Sequence, residues 1–245
     1  TSNGAVSHSY DLASLETPLV EVKITGALSQ WGGDIDQSKL VRVDFLGFGM
    51  GLRSLYRGFM RAPNLSYITE ELPDSVTSLA QAFLNNATFN LPQIGSWATG
   101  NVTDMSYMFR GCTAFNQPIG AWDTSQVTSF ERMFEDAVAF DQDIGAWDVA
   151  RVTTMAGMFN QAGSFNNGGA PTINDWNTAS LTNISALFRL AAAFNQPIEN
   201  WDVSGVTSMG GFGSGPFQGA SSFNQPLGNW DVSNVTDMSW MFYQN

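Results

Sequence analysis

Apolar and polar positions along this chain follow two different rhythms. From Leu19 they alternate, with Val20, Val22 and Ile24 set around Glu21 and Lys23, and they do so again over Leu40–Phe45. Period-2 runs of this kind predict half-buried strands, and the Gly32-Gly33-Asp34 stretch between them predicts that the two strands pair. Downstream the apolar spacing becomes i, i+3 and i+7, as in Val102/Met105/Phe109, Val127/Phe130/Phe134 and Val152/Met155/Phe159. That spacing marks one face of a helix. Ser233-Asn234 before such a stretch suits an N-cap. Asp104 and Asp237 then fall in the first turn, where a helix dipole favours negative charge. The intervening Phe-Asn-Gln-Pro-Ile-Gly-x-Trp segments are too short and too punctuated by Gly and Pro for a helix, and read as short extended pieces.

These two halves recur together. Trp97, Trp122, Trp147, Trp176, Trp201 and Trp230 are separated by 25, 25, 29, 25 and 29 residues. Two phenylalanine series run from Phe83 to Phe242 and from Phe89 to Phe223 with the same beat. A fixed period of this size predicts a solenoid, because each unit is too small to bury its own apolar face. Residues 1–18 read as a flexible arm, 19–48 as an N-terminal β cap enclosing Trp31, and 49–245 as about eight repeats of 25–29 residues. Within this scheme the Trp and Phe series are core ladders. The column Asn90, Asn116, Asp141, Asn166, Asn195 and Asn224 is expected to hydrogen-bond turns of adjacent repeats. Two repeats run long, at Asn166–Thr172 and at Gly210–Pro216. Insertions become surface loops, so Asn167, Gly168, Gly169, Phe212, Gly213 and Ser214 are the candidate binding positions.

Composition narrows the options. The net charge is −12, from 22 acidic and 10 basic residues, which weighs against nucleic acid and anionic membrane surfaces as partners. No apolar run is long enough to span a bilayer. One cysteine, Cys112, precludes an intrachain disulfide, and the lone histidine, His8, lies in the arm, away from any triad or His-ligated metal site. No cofactor is expected. The start at Thr1, without Met or a leader-type segment, is expected to reflect processing or trimming, and the stop at Asn245 an uncapped or truncated end open to subunit docking.

The strings FNQPIGAWDTSQVTSFERMF (115–134), FNQPIENWDVSGVTSM (194–209) and FNQPLGNWDVSNVTDMSWMF (223–242) resemble the BspA-like surface-protein repeat, a leucine-rich-repeat variant. The resemblance covers about residues 45–245. It implies a right-handed α/β solenoid of short helices and short parallel strands. It also implies display on a cell or virion surface, and adhesion to or recognition of a protein or glycan without catalysis. The family's ligands are not tied to motif residues, so no binding residue is carried over.

Other chemistry is readable but diffuse. Glu131, Glu135 and Asp136 could serve as paired carboxylates, though a solvated helix face accounts for them. Asp141 and Asp143 lack the spaced ligands of a calcium loop. Asp123, Asp148, Asp202 and Asp231 form an acidic column after the tryptophans, read as turn hydrogen bonding or as a strip for cations. The threonine file from Thr77 to Thr236 admits ice binding as a minor alternative, and a spacer or assembly role is the main one. Sequons stand at Asn64, Asn86, Asn101, Asn183 and Asn234.

Overall fold

The structure, a computed structural model, describes residues 20–24, 30–33, 37–45, 51–211 and 213–245. The arm expected over 1–18, and Phe212 of the second loop, lie outside these residues. The first elements are β1 (Val20–Ile24), β2 (Leu40–Phe45) and β3 (Tyr67–Ile68), in one sheet of order β1-β2-β3. The expected pairing of the two alternating runs is present, and it is parallel, as is β2 with β3. Parallel neighbours need a crossover rather than a tight hairpin. β1 and β2 therefore run in the same sense as β3, and Trp31 donates its indole N–H to Gly58 O at 3.0 Å.

From there one parallel bridge is added per repeat. Gln30 pairs with Ser54, Ser54 with Ser78, and the series continues through Asp104, Ser129, Thr154, Asn183 and Ser208 to Asp237. Successive repeats thus lie side by side in register, and we call each one a rung. At the bridging position a short polar side chain accepts the N–H two residues on. Asp104 Oδ1 takes Ser106 N at 2.9 Å, Asn183 Oδ1 takes Ser185 N at 2.9 Å, and Asp237 Oδ1 takes Ser239 N at 2.8 Å. Asp104 and Asp237 are therefore turn-closing acceptors rather than first-turn helix residues.

The helix expected in each repeat is not formed. Among the described residues the only helical pieces are 3₁₀ turns at Pro92–Ser96, Asn167–Gly169 and Pro171–Asp175. In the segment read as a helical face, alternate N–H groups leave the rung. Tyr107, Phe109 and Gly111 donate to Glu131 O, Met133 O and Glu135 O of the next rung at 2.8, 2.9 and 2.8 Å. The N–H groups between them close four-residue turns within the rung, Met108 onto Met105 and Arg110 onto Tyr107. Two residues four apart take left-handed φ to permit this, Tyr107 at 58° and Gly111 at 73° in this rung, Arg132 at 51° and Asp136 at 59° in the next. A left-handed residue every fourth position bends the chain back, so apolar side chains spaced like a helical stripe face inward without a helix. An isolated eight-residue helix would be marginal in water, whereas this arrangement pairs the same backbone groups between rungs.

The core is a pair of aromatic stacks. Phe109, Phe134, Phe159 and Phe188 follow one another at centroid separations of 5.7, 5.6 and 5.6 Å, and Phe115, Phe140, Phe165 and Phe194 at 5.7, 5.9 and 6.0 Å. Within a rung the two series touch at 3.7–4.0 Å, as in Phe159–Phe165 and Phe109–Phe115. Offset stacks contribute about 0.5–1.5 kcal/mol per pair beyond area burial. All eight rings are essentially fully buried. The Asn column joins rungs at a second edge. Asn90 Oδ1 accepts Asn116 N, and the pattern passes through Asp141, Asn166 and Asn195 to Asn224, each bond at 2.8–2.9 Å.

Candidate recognition face

The residues singled out from the sequence fall in three different places. The six tryptophans line one wall with 9% exposure or less. Trp122, Trp147, Trp201 and Trp230 donate their indole N–H to Ile94, Ile119, Ile173 and Ile198 of the preceding rung, at 2.7–3.0 Å, and Trp97 donates to Thr69. Trp176 alone of the six has no partner for its buried N–H among the described residues. The first inserted loop, Asn166–Thr172, precedes it.

In that loop Asn167 is a structural hub rather than a loop-tip contact. Its side chain is fully buried. Its Oδ1 accepts Ile144 N at 2.9 Å, while its Nδ2 donates to Ala170 O and Thr172 Oγ1 at 2.7 and 3.0 Å. Gly168 and Gly169 are exposed. Gly213 and Ser214 of the second loop are half-buried and lie between Met209 and Phe217, on a different segment of the rung. The two insertions therefore do not build one site.

The regular polar columns are occupied by the fold. Asp123, Asp202 and Asp231 each accept a backbone N–H two residues on at 2.9–3.0 Å, and Asp148 does the same. The backbone N–H of Ser125 holds the Asp123 carboxyl below the usual range, and that of Ser233 does so for Asp231; at Asp202 the Ser204 hydroxyl leads. Asp202 and Asp231, with Glu199 and Trp201, line an open cleft of about 380 Å³. Asp141 Oδ1 accepts Asn166 N and Gly168 N, and Asp143 Oδ1 accepts Gly145 N and the Thr172 hydroxyl. No group of three or more His, Cys, Asp or Glu side chains is placed to hold a metal ion among the described residues. The threonines do not cap helices. From Thr103 on they stand exposed beside the bridges, each hydroxyl donating to the previous threonine's carbonyl, as Thr128 does to Thr103 at 3.2 Å and Thr182 to Thr153 at 3.0 Å, while Thr77 donates to Arg53 O.

One face breaks the repetition. On the turn that carries the two left-handed residues, the side chains change from rung to rung. The first left-handed position reads Arg57, Gln81, Tyr107, Arg132, Gly157 and Ala186, and the second reads Arg61, Asn85, Gly111, Asp136, Gln161, Leu190 and Gly219. The position after the core Phe reads Leu84, Arg110, Glu135, Asn160, Arg189 and Gln218. Five of the chain's ten basic residues lie on this turn face. Side chains here are linked across rungs. Arg110 Nε is 2.7 Å from Glu135 Oε2, an ion pair whose N–H is not aligned as a hydrogen bond. Arg132 Nη1 lies 3.4 Å from the same oxygen. Asn160 Nδ2 donates to Glu135 Oε1, and Arg189 bridges Asn160 and Gln218.

Glu135 is thus buried and shared, not part of a solvated helix face. Arg110 and Arg132 both sit 6.0 Å from the Tyr107 ring. The Tyr107 hydroxyl donates to Glu131 at 2.7 Å, and burial, followed by that bond to a carboxylate, pushes its pKa up to about 12. Burial raises Asp136, with the neighbouring Glu135 charge adding to it. Position by position, the signal that would have found this face is the set of columns that fail to repeat once the rungs are aligned.

Comparison with known families agrees with the rung pattern. Residues 77–170 and 168–245 each match the family described as Mycoplasma protein of unknown function, DUF285. The chain belongs to the DUF285 family. DUF285 is a BspA-like repeat family. The two matches abut at the first inserted loop. No curated protein and no solved structure matches the chain. No helix among the described residues is long and apolar enough to cross a membrane.

Proposed function

We propose that the DUF285 rungs form one leucine-rich-repeat-type solenoid, right-handed as parallel crossovers overwhelmingly are. In this reading it is displayed on a cell or virion surface and works without catalysis as an adhesion or recognition module. The observation that carries this reading is the division of labour among columns. Trp, Phe, Asn and Thr recur at fixed levels because each joins one rung to the next, and the post-tryptophan Asp because it closes a turn within its rung, while the turn face changes from rung to rung. That variable face holds Arg57, Tyr107, Arg110, Arg132 and Arg189, and arginine and tyrosine are the residues that dominate binding energy at interfaces. Their side chains are also held across rungs, so less ordering entropy is lost on binding. The candidate site accordingly moves from the inserted loops to the turn face.

The test is binding of the fluorescently labelled chain to intact cells, before and after protease or glycosidase treatment. Saturable binding that Arg110→Ala/Arg189→Ala weakens is expected. Absence of saturable binding to every cell type, together with end-to-end self-association at micromolar concentration, would refute this reading in favour of an assembly role.

A further inference from the structure

Asn167 is followed by glycine, and the pair is a chemically reactive dipeptide. The chain has two Asn-Gly pairs, Asn3-Gly4 and Asn167-Gly168, and the second lies among the described residues. Glycine presents its backbone nitrogen without a Cβ to shield it. Once deprotonated, that nitrogen can attack the side-chain amide carbon before it. A bond forms between Gly168 N and Asn167 Cγ, and the bond from Cγ to Nδ2 breaks. The side-chain nitrogen leaves as ammonia, taking up a proton in place of the one Gly168 gave. Water then opens the cyclic imide at either carbonyl. One opening leaves aspartate; the other leaves isoaspartate, with the main chain rerouted through the side-chain carbon.

The fold ties down each group this reaction uses. The Asn167 side chain is fully buried. Gly168 N donates to Asp141 Oδ1 at 2.9 Å, and a carboxylate acceptor holds the proton that the attack must remove. Asn167 Oδ1 accepts Ile144 N at 2.9 Å from the preceding rung. Its Nδ2 lies 2.7 Å from Ala170 O, 3.0 Å from Thr172 Oγ1 and 3.3 Å from Asp143 Oδ1. Turning the amide toward Gly168 N gives up these bonds together and leaves their partners unpaired.

The product does not fit the space the amide fills. Conversion puts an oxygen where Nδ2 was, facing the same three oxygens that accepted its protons. The Thr172 hydroxyl cannot donate to that oxygen without leaving Asp143 Oδ1, to which it donates at 2.8 Å. The Gly145 N–H holds the Asp143 carboxyl below the usual carboxylate range, so it is charged at neutral pH. A second carboxylate in a buried position beside it meets like charge. Isoaspartate adds a main-chain carbon as well, at a residue whose φ of 54° is set by the turn.

We infer that Asn167-Gly168 is a fold-gated deamidation site, which reacts with water when the Asn166–Thr172 loop opens and whose product keeps that loop from closing. The modification is irreversible, so the loop carries a covalent record of having opened. This inference is independent of what the turn face binds.

The experiment follows Asn167 in the full chain at mildly alkaline pH by peptide mass mapping, with enzymatic methyl labelling of isoaspartate as a second readout. In native buffer conversion should be at least about tenfold slower than in urea that unfolds the chain, because only the open population reacts. Thr172→Val keeps the side-chain shape and removes one acceptor of Nδ2. It should speed conversion in native buffer and leave the rate in urea unchanged. Asn167→Asp, the product with an unaltered main chain, should unfold at a lower urea concentration than the parent. Equal rates in native buffer and in urea overturn the gate, and no conversion in urea overturns the site. A Thr172→Val chain that reacts no faster than the parent overturns the side-chain hub as the gate. An Asn167→Asp chain as stable as the parent overturns the claim that the product holds the loop open.

Discussion

Replacing Ala186 with glycine separates the observed turn from a helix by sign. Ala186 sits at the first left-handed position of its rung, with φ of 55° and its N–H on Ser214 O at 3.2 Å. For a residue with a Cβ that conformation costs about 1–2 kcal/mol, and glycine removes the cost. Glycine loses about 0.5–1 kcal/mol more backbone entropy than alanine on ordering. The balance is a stabilisation of about 0.5–1 kcal/mol, which raises the thermal midpoint of a chain this size by about 2 °C. Had the segment been a helix, the same change would cost about 1 kcal/mol. Ala191, five residues on, supplies the internal reference. It is fully buried with φ outside the left-handed region, so Ala191→Gly should destabilise by about 1 kcal/mol or more. Urea and thermal unfolding of the two variants, followed by tryptophan fluorescence, read both signs at once. If Ala186→Gly lowers the midpoint as Ala191→Gly does, the left-handed assignment is wrong.

Other consequences follow from the same geometry. Trp147→Phe strips Ile119 O of its indole donor and should cost about 1 kcal/mol more than Trp176→Phe, whose N–H has no partner to lose; unfolding midpoints of the pair decide it. Asn167→Ala should destabilise by about 3 kcal/mol, since it orphans buried partners and keeps φ of 54° without a side chain suited to it; full stability in urea titration would refute its role as a hub. Asp136→Asn should raise the midpoint at pH 7. Its folded pKa lies above the unfolded value, so the charged form is penalised in the fold, and the benefit should vanish below about pH 4, where both states are protonated. Asp123, Asp143, Asp202, Asp231 and Asp237 shift the other way. Their contribution is present above the unfolded carboxylate range and lost as pH falls through their lower folded values, so the midpoint should be level from pH 7 to about 5 and drop below about 4.

The period, the aromatic ladders, the asparagine column and the turn role of the post-tryptophan aspartates were all legible in the amino-acid sequence. Each column recurs because it serves one fixed level of the rung: the Trp, Phe and Asn columns contact a neighbouring rung, and the post-tryptophan aspartates close a turn within their own. The backbone of the Val-Thr-x-Met-x-x-x-Phe stretch was not legible. Apolar residues at i, i+3 and i+7 satisfy a helix and a doubly left-handed turn equally, because both bring every third or fourth side chain to one side. What separates them is the destination of the N–H groups, and Tyr107, Phe109 and Gly111 find theirs on the next rung. The same holds for Asn167, whose loop composition signals exposure while its four-residue insertion folds the side chain inward to satisfy Ile144. The sequence by itself thus determined that rungs exist and which side chains join them. Only the tertiary structure decided that the turns are left-handed, that β1 and β2 run parallel, and that the non-repeating residues converge on one face, because each depends on hydrogen bonds between groups about 25 residues apart.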